Sequence, residues 1–170
     1  SDSGLPIVAC TVSDLDYFTQ AAVRFTTTQR IPISPEHLFT VFEDPDSWAQ
    51  WVLGIKRVEW TSQQPFTVRT TRTVYFRGGL RFYEEFIAWD RGREMAFMFS
   101  GTSTLLCTHF GERYVVTNLG KNACELSWTL AYDPVGAFAT LQPLIQPLMP
   151  IVLSAYLRRL ARYCRRVAEP

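Results

Sequence analysis

The sequence predicts an α+β domain: a curved antiparallel sheet covered on one face by a long C-terminal helix. Three observations carry this. Between Ile55 and Tyr132 the chain is a succession of β-like segments, joined by turns too short for crossover helices. From Leu153 to Val167, the apolar residues Leu153, Leu157, Leu160, Cys164 and Val167 recur at helical steps. With 170 residues, 47% hydrophobic and 19% charged, the chain has the composition of one ordinary domain with a substantial core.

The elements follow in order. Residues 1–22 read as an N-terminal extension, within which Ser13-Asp14-Leu15-Asp16 can cap a short helix. The domain proper spans residues 23–168. Ala22 to Ile31, rich in Val, Phe and Thr, is its first strand. Ser34-Pro35-Glu36 starts a helix: serine suits the cap, proline the first turn, and the acid the helix dipole. Leu38, Phe39, Val41 and Phe42 give that helix its apolar side. Asp44-Pro45-Asp46 opens a second short helix, whose Trp48 and Trp51 are expected to pack it onto the sheet.

Six more strands bring the sheet to seven: Ile55–Thr61, Phe66–Phe76, Leu80–Trp89, Met95–Phe99, Leu105–Asn118 and Cys124–Tyr132. Gly78-Gly79 and residues 118–122 supply hairpin turns. In the last strand Cys124, Leu126, Trp128, Leu130 and Tyr132 alternate with Glu125, Ser127 and Thr129, so one face is dry and the other wet. Pro143, Pro147 and Pro150 should bend the start of the terminal helical segment. The stretch from Phe138 to Met149 is therefore expected to act as a gate.

One helix, about 10 Å wide, cannot fill the hollow of a seven-stranded sheet. The architecture thus predicts a cavity. Strand parity puts Phe82, Phe86, Phe97, Phe99, Tyr114 and Trp128 on its wall, and the proline-bent segment puts Phe138, Leu141, Leu144 and Met149 at its entrance.

Composition excludes several classes. Lys plus Arg is 17 and Asp plus Glu is 16, a balance that argues against a nucleic-acid binder. Cys10, Cys107, Cys124 and Cys164 show no C-x-x-C or zinc spacing, which predicts free thiols and no metal. No Gly-rich phosphate loop is present, and nothing calls for a nucleotide, redox or other cofactor. The polar start, Ser1 to Gly4, lacks the basic segment of a signal peptide, so a cytoplasmic location is expected. Oligomeric state is not encoded in any pattern found here.

Candidate chemistry is sparse. Glu84 and Glu85 are adjacent on a strand, so one of them faces the cavity. Buried there, a carboxyl needs a partner such as Arg69, Arg72 or Arg113, or a raised pKa. It is either a ligand anchor or acid/base group, or half of a structural ion pair. Glu112 and Arg113 pose the same alternative. His109 is a candidate base if it points inward; His37 reads as a surface residue. Arg69, Arg72, Arg77 and Arg81 could bind a carboxylate or phosphate, but read first as the solvated face of an edge hairpin. Arg158, Arg159, Arg162, Arg165 and Arg166 offer a charged face that could touch an anionic membrane.

The chain resembles the START/SRPBCC superfamily of helix-grip folds, in particular its polyketide cyclase/dehydrase-like branch. The likeness is carried by Ile33-Ser34-Pro35-Glu36-His37-Leu38-Phe39 and Asp44-Pro45-Asp46-Ser47-Trp48-Ala49-Gln50-Trp51. Glu84-Glu85-Phe86-Ile87-Ala88-Trp89-Asp90 with Arg93, Leu126 to Pro134, and Leu141 to Leu148 extend it. The resemblance implies a hydrophobic-ligand cavity between sheet and long helix, with no shared catalytic constellation. Three functions are open: binding or transport of a lipid, fatty acid or polyketide-like molecule; a cyclase or dehydratase acting on an aromatic or polyketide substrate; and a protein-interaction module without ligand.

Overall fold

A computed structural model describes residues 6–168. The polar start at Ser1 to Gly4 lies outside them. In chain order the elements are β1 (Val8–Ala9), α1 (Tyr17–Gln20), β2 (Val23–Ile31), α2 (Pro35–Glu43), α3 (Trp48–Trp51), β3 (Ile55–Trp60), β4 (Thr71–Phe76), β5 (Arg81–Asp90), β6 (Glu94–Thr102), β7 (Cys107–Asn118), β8 (Cys124–Pro134), α4 (Gly136–Ile145) and α5 (Met149–Ala168).

The sheet is antiparallel, in the order β2-β8-β7-β6-β5-β4-β3. The N-terminal extension adds an eighth strand: β1 pairs with the end of β6, Val8 opposite Thr102 and Ala9 opposite Gly101. The expected strand from Phe66 starts only at Thr71, because Arg69 takes a left-handed backbone (φ 76°) and Phe66 turns to stack on Trp60 at 4.0 Å.

The two faces of the sheet are covered differently. On one, α2, α3 and α5 enclose the main core, which includes Phe39, Phe42, Trp51, Leu157 and Leu160, all fully buried. Ser34 Oγ accepts from the His37 amide at 3.1 Å and so closes the first turn of α2. On the opposite face α1 lays Tyr17, Phe18 and Ala21 over Ala96, Met98 and Ala131. Gly111 permits that approach, since a Cβ there would lie 2.4 Å from Met98 Sδ and 3.0 Å from Phe18 Cζ. The N-cap of α1 is Asp16, which makes no side-chain bond, and it is Asp14 Oδ1 that accepts from the Asp16 amide. The expected Ser13 cap is not formed.

The terminal helical segment is two helices. α4 and α5 meet at an 82° bend. Pro147 falls in the break, where its missing amide and its ring prevent continuation past the Pro143 carbonyl. Pro150 sits in the first turn of α5, where no amide is needed. Where a kinked helix was expected, the chain turns a corner.

Arg72 and Arg81 correct the reading of the arginine stretch as solvated. They are only 2% and 6% exposed, and their hairpin β4–β5 lies inside the sheet, with β3 outside it as the edge strand. All four cysteines are free: Cys107, Cys124 and Cys164 are buried and Cys10 half-buried.

Candidate functional site: an apolar cavity with a charged floor

A cavity of about 360 Å³ lies between the sheet and the helices α3, α4 and α5. Its volume is in the lower part of the range of about 300–1,000 Å³ that small-ligand sites occupy. Phe82, Phe97, Phe99, Tyr114 and Trp128 stand on its wall. Leu106 just before β7 and Phe110 within it, Phe76 and Leu80 of the β4–β5 hairpin, and Val152 and Tyr156 of α5 join them. Phe138 and Met149 line the side nearest the bend.

The remaining predicted positions fall elsewhere. Phe86 is 1% exposed and packs behind Arg72, off the cavity wall. Leu141 and Leu144 are exposed on α4 and do not line the cavity. Glu85 points to the face opposite Glu84, across from Thr71. His109 is outside the cavity as well. It alternates with the inward-facing Phe110, stacks on Tyr17 at 5.1 Å, and has Nδ1 3.9 Å from Asp133 Oδ2. A base inside the cavity is therefore not supplied by His109.

The floor is charged. Arg72 and Glu84 are directly opposite on β4 and β5, and Arg72 Nε donates to Glu84 Oε1 at 2.6 Å. Both are almost wholly buried, at 2% and 4% exposed. The guanidinium also rests on aromatic rings, 4.2 Å from the centre of Trp48 and 4.7 Å from that of Phe97. Its Nη1 is buried and has no hydrogen-bond acceptor. Beside this pair stands Glu112 on β7, whose Oε1 accepts from Tyr114 Oη at 2.7 Å and from Trp128 Nε1 at 2.9 Å.

Electrostatics follow from burial. Loss of solvent pushes Glu84 up to about 7, with Arg72 pulling the other way and Glu112 adding to the rise. Loss of solvent raises Glu112 as well, against the pull of its Tyr114 bond, Arg72 and Trp128. The Tyr114 phenol is held well above its ordinary value by burial and by the Glu112 charge. One guanidinium facing two carboxyls is neutral only when one carboxyl keeps its proton. The floor thus holds a hydrogen-bond donor and an acceptor side by side in an apolar hollow.

Sequence parity found the aromatic wall but not this grouping. The available signal was the pairing of an arginine and a glutamate at apolar-phase positions: Arg72 with Val74, and Glu84 between Phe82 and Phe86. Among the described residues no three His, Cys, Asp or Glu side chains converge as metal ligands would.

Comparison with known proteins agrees with this architecture. Residues 22–169 match the family model described as polyketide cyclase / dehydrase and lipid transport. The chain belongs to that family. An uncharacterised protein of Mycobacterium tuberculosis is 38% identical over 154 residues, 91% of this chain and 92% of that protein. Among solved structures, a START superfamily protein from Mycobacterium smegmatis superimposes with a TM-score of 0.68 at 14% identity, over 85% of this chain and 98% of that one. The Zhui aromatase/cyclase of a Streptomyces species gives a TM-score of 0.71 at 12% identity, covering 86% and 96% of the two chains. At these identities the structural matches show a shared START-like helix-grip fold.

Proposed function

We propose that the protein binds a small, largely apolar molecule bearing one hydrogen-bonding end, such as a hydroxyl, phenol or carbonyl. The carrying observation is the combination of an apolar cavity with a floor made of Arg72, Glu84, Glu112 and Tyr114. The walls would take up an acyl, polyketide-like or aromatic body by burying its surface. The floor would orient the polar end, since a group entering without a partner would leave buried donors and acceptors unmet. Family membership and the START-like neighbours support a hydrophobic ligand.

The test is binding of two isosteric aromatic probes, one with a phenolic hydroxyl and one without. The phenol is expected to bind about tenfold or more tightly, and the preference to vanish in Glu112→Gln and Glu84→Gln. Equal binding of both probes, or of neither, overturns the reading. Native mass spectrometry of freshly purified protein gives a second check, with an apolar adduct as the expected result.

One observation favours a second reading. A carboxyl pushed up to about 7 is divided between acid and base forms near neutrality, as proton transfer requires. In a cyclase or dehydratase, the cavity would fold the substrate by shape while Glu84 moved a proton at its polar end. Turnover that follows an ionisation near neutrality, and that Glu84→Gln abolishes without loss of binding, would establish it. Binding without turnover leaves the carrier.

A further inference from the structure

We propose that the α4–α5 elbow is a docking surface for an anionic lipid bilayer, with the cavity mouth facing the membrane. From Gly136 to Leu157 there is no charged side chain. In that stretch Leu141, Leu144, Leu148, Ile151 and Val152 are 49%, 69%, 58%, 65% and 40% exposed. Leu53 and Leu105, next in the chain to the wall residues Val52 and Leu106, are 56% and 58% exposed. Aliphatic side chains gathered around one opening are not ordinary surface, where such residues stand singly.

Charge selects the occupant. Away from the charged floor, the segments around the cavity that carry exposed residues are 48–58, 76–83, 103–111 and 136–158. They contain no Asp or Glu, and their exposed cations are Lys56, Arg77 and Arg158, together with Arg57, which is paired with Glu59 at 3.0 Å. Exposed apolar side chains flanked by Lys56, Arg77 and Arg158 match hydrocarbon beneath anionic headgroups. A second copy of this chain would set cations against cations.

The contact is interfacial. No single helix among the described residues is long and apolar enough to cross a membrane, and α5 commits Leu153, Leu157, Leu160 and Cys164 to the core. α4 has no fully buried residue and commits only Phe138 and Gln142, both to Tyr132. The elbow, rather than the arginine face of α5 alone, makes the contact; Arg159 of that face is engaged with the Gln50 carbonyl at 3.3 Å. Val152 and Met149 belong both to the elbow and to the cavity wall, so a seated membrane would meet the opening directly. The exchange of ligand implied by this rests on the cavity reading; the docking does not.

The experiment is co-sedimentation with phosphatidylcholine vesicles, with and without phosphatidylglycerol, at low and high salt. The protein is expected to pellet with the anionic vesicles and to be released by salt. Leu144→Glu combined with Leu148→Glu and Ile151→Glu should lower partitioning about a hundredfold with an unchanged circular dichroism spectrum, because all three side chains are exposed. Lys56→Glu with Arg77→Glu should weaken binding to anionic vesicles alone. Wild-type protein left in the supernatant with both vesicles overturns the proposal. So does a triple variant that pellets like wild type, or a dimer in light scattering that the triple variant dissolves without any vesicle binding. The phenolic probe separates this from the cavity reading: the triple variant should bind it normally, and pelleting without probe binding would sink the cavity reading alone.

Discussion

α5 and α4 are consecutive helices with opposite attachments. α5 buries five side chains, Leu153, Leu157, Leu160, Ala161 and Cys164, and is held by Tyr156 Oη to the Leu53 carbonyl at 3.2 Å and by Ser154 to Thr27 at 3.2 Å. α4 buries none. It is tethered by Tyr132 Oη donating to Gln142 Oε1 at 2.7 Å and by Phe138 stacked on Tyr132 at 5.1 Å. The difference is one of apolar pattern. In α5 the apolar residues fall on one stripe and arginines take the rest; in α4 apolar residues lie all round, with Pro143 inside. One helix completes the core, and the other is a flap at the cavity mouth.

The sharpest way to test the anchored half is at the cavity floor it encloses. Arg72→Met removes the cation that two buried carboxyls face. It should cost about 3–5 kcal/mol in urea unfolding near neutral pH and less in acid, where the carboxyls are protonated. Leu160→Ala should cost about 2–5 kcal/mol by leaving a void under α5. A loss below about 1 kcal/mol would mean that α5 is not the cover it is taken to be.

Glu84 adds a pH-dependent term. Folded Glu84 holds its proton up to about 7, whereas an exposed carboxyl releases it near 4.5. The folded state therefore binds more protons across that window. This group's contribution is most favourable below 4.5 and is lost as pH rises through about 7. Relative to wild type, Glu84→Gln should gain up to about 3 kcal/mol as pH rises over that interval, read from melting curves at several pH values. A gap that stays constant with pH would place the proton elsewhere.

The effects at α4 are smaller. Tyr132→Phe should cost about 1 kcal/mol and speed amide exchange in α4 while leaving α5 unchanged. Equal protection of the two helices in the wild-type protein would contradict the flap. Leu144→Ala should change stability by less than about 0.5 kcal/mol.

Much of this was legible in the sequence, for identifiable reasons. The strand run, the Ser34-Pro35-Glu36 helix start and the Leu153–Val167 stripe are local patterns, and the sheet and α5 formed as those patterns read except at residues 66–70, which leave the expected strand. The aromatic wall followed from alternation, which fails only where a bulge intervenes. Phe86 has the right phase, yet Arg72 lies between it and the hollow, a contact between strands that no single-strand pattern contains. Arg72 itself looked like surface because charge is usually solvated; its burial depends on Glu84 standing opposite and on the rings of Trp48 and Phe97. The short helix after Ser13-Asp14-Leu15-Asp16 was legible, but β1 was not, because residues 1–22 are too short and mixed to show a period, and the docking partner of α1, Gly111, is recognisable only once Phe18 rests on it.

The corner at Pro147 separates two kinds of evolutionary freedom. Residues after it answer to the core and can change only with compensation across the sheet. Just before it, Leu141 and Leu144 of α4 are exposed, so substitutions there would reshape the doorway while leaving folding intact. On the binding reading proposed above, a descendant of this chain could take a different ligand by rewriting one short peptide.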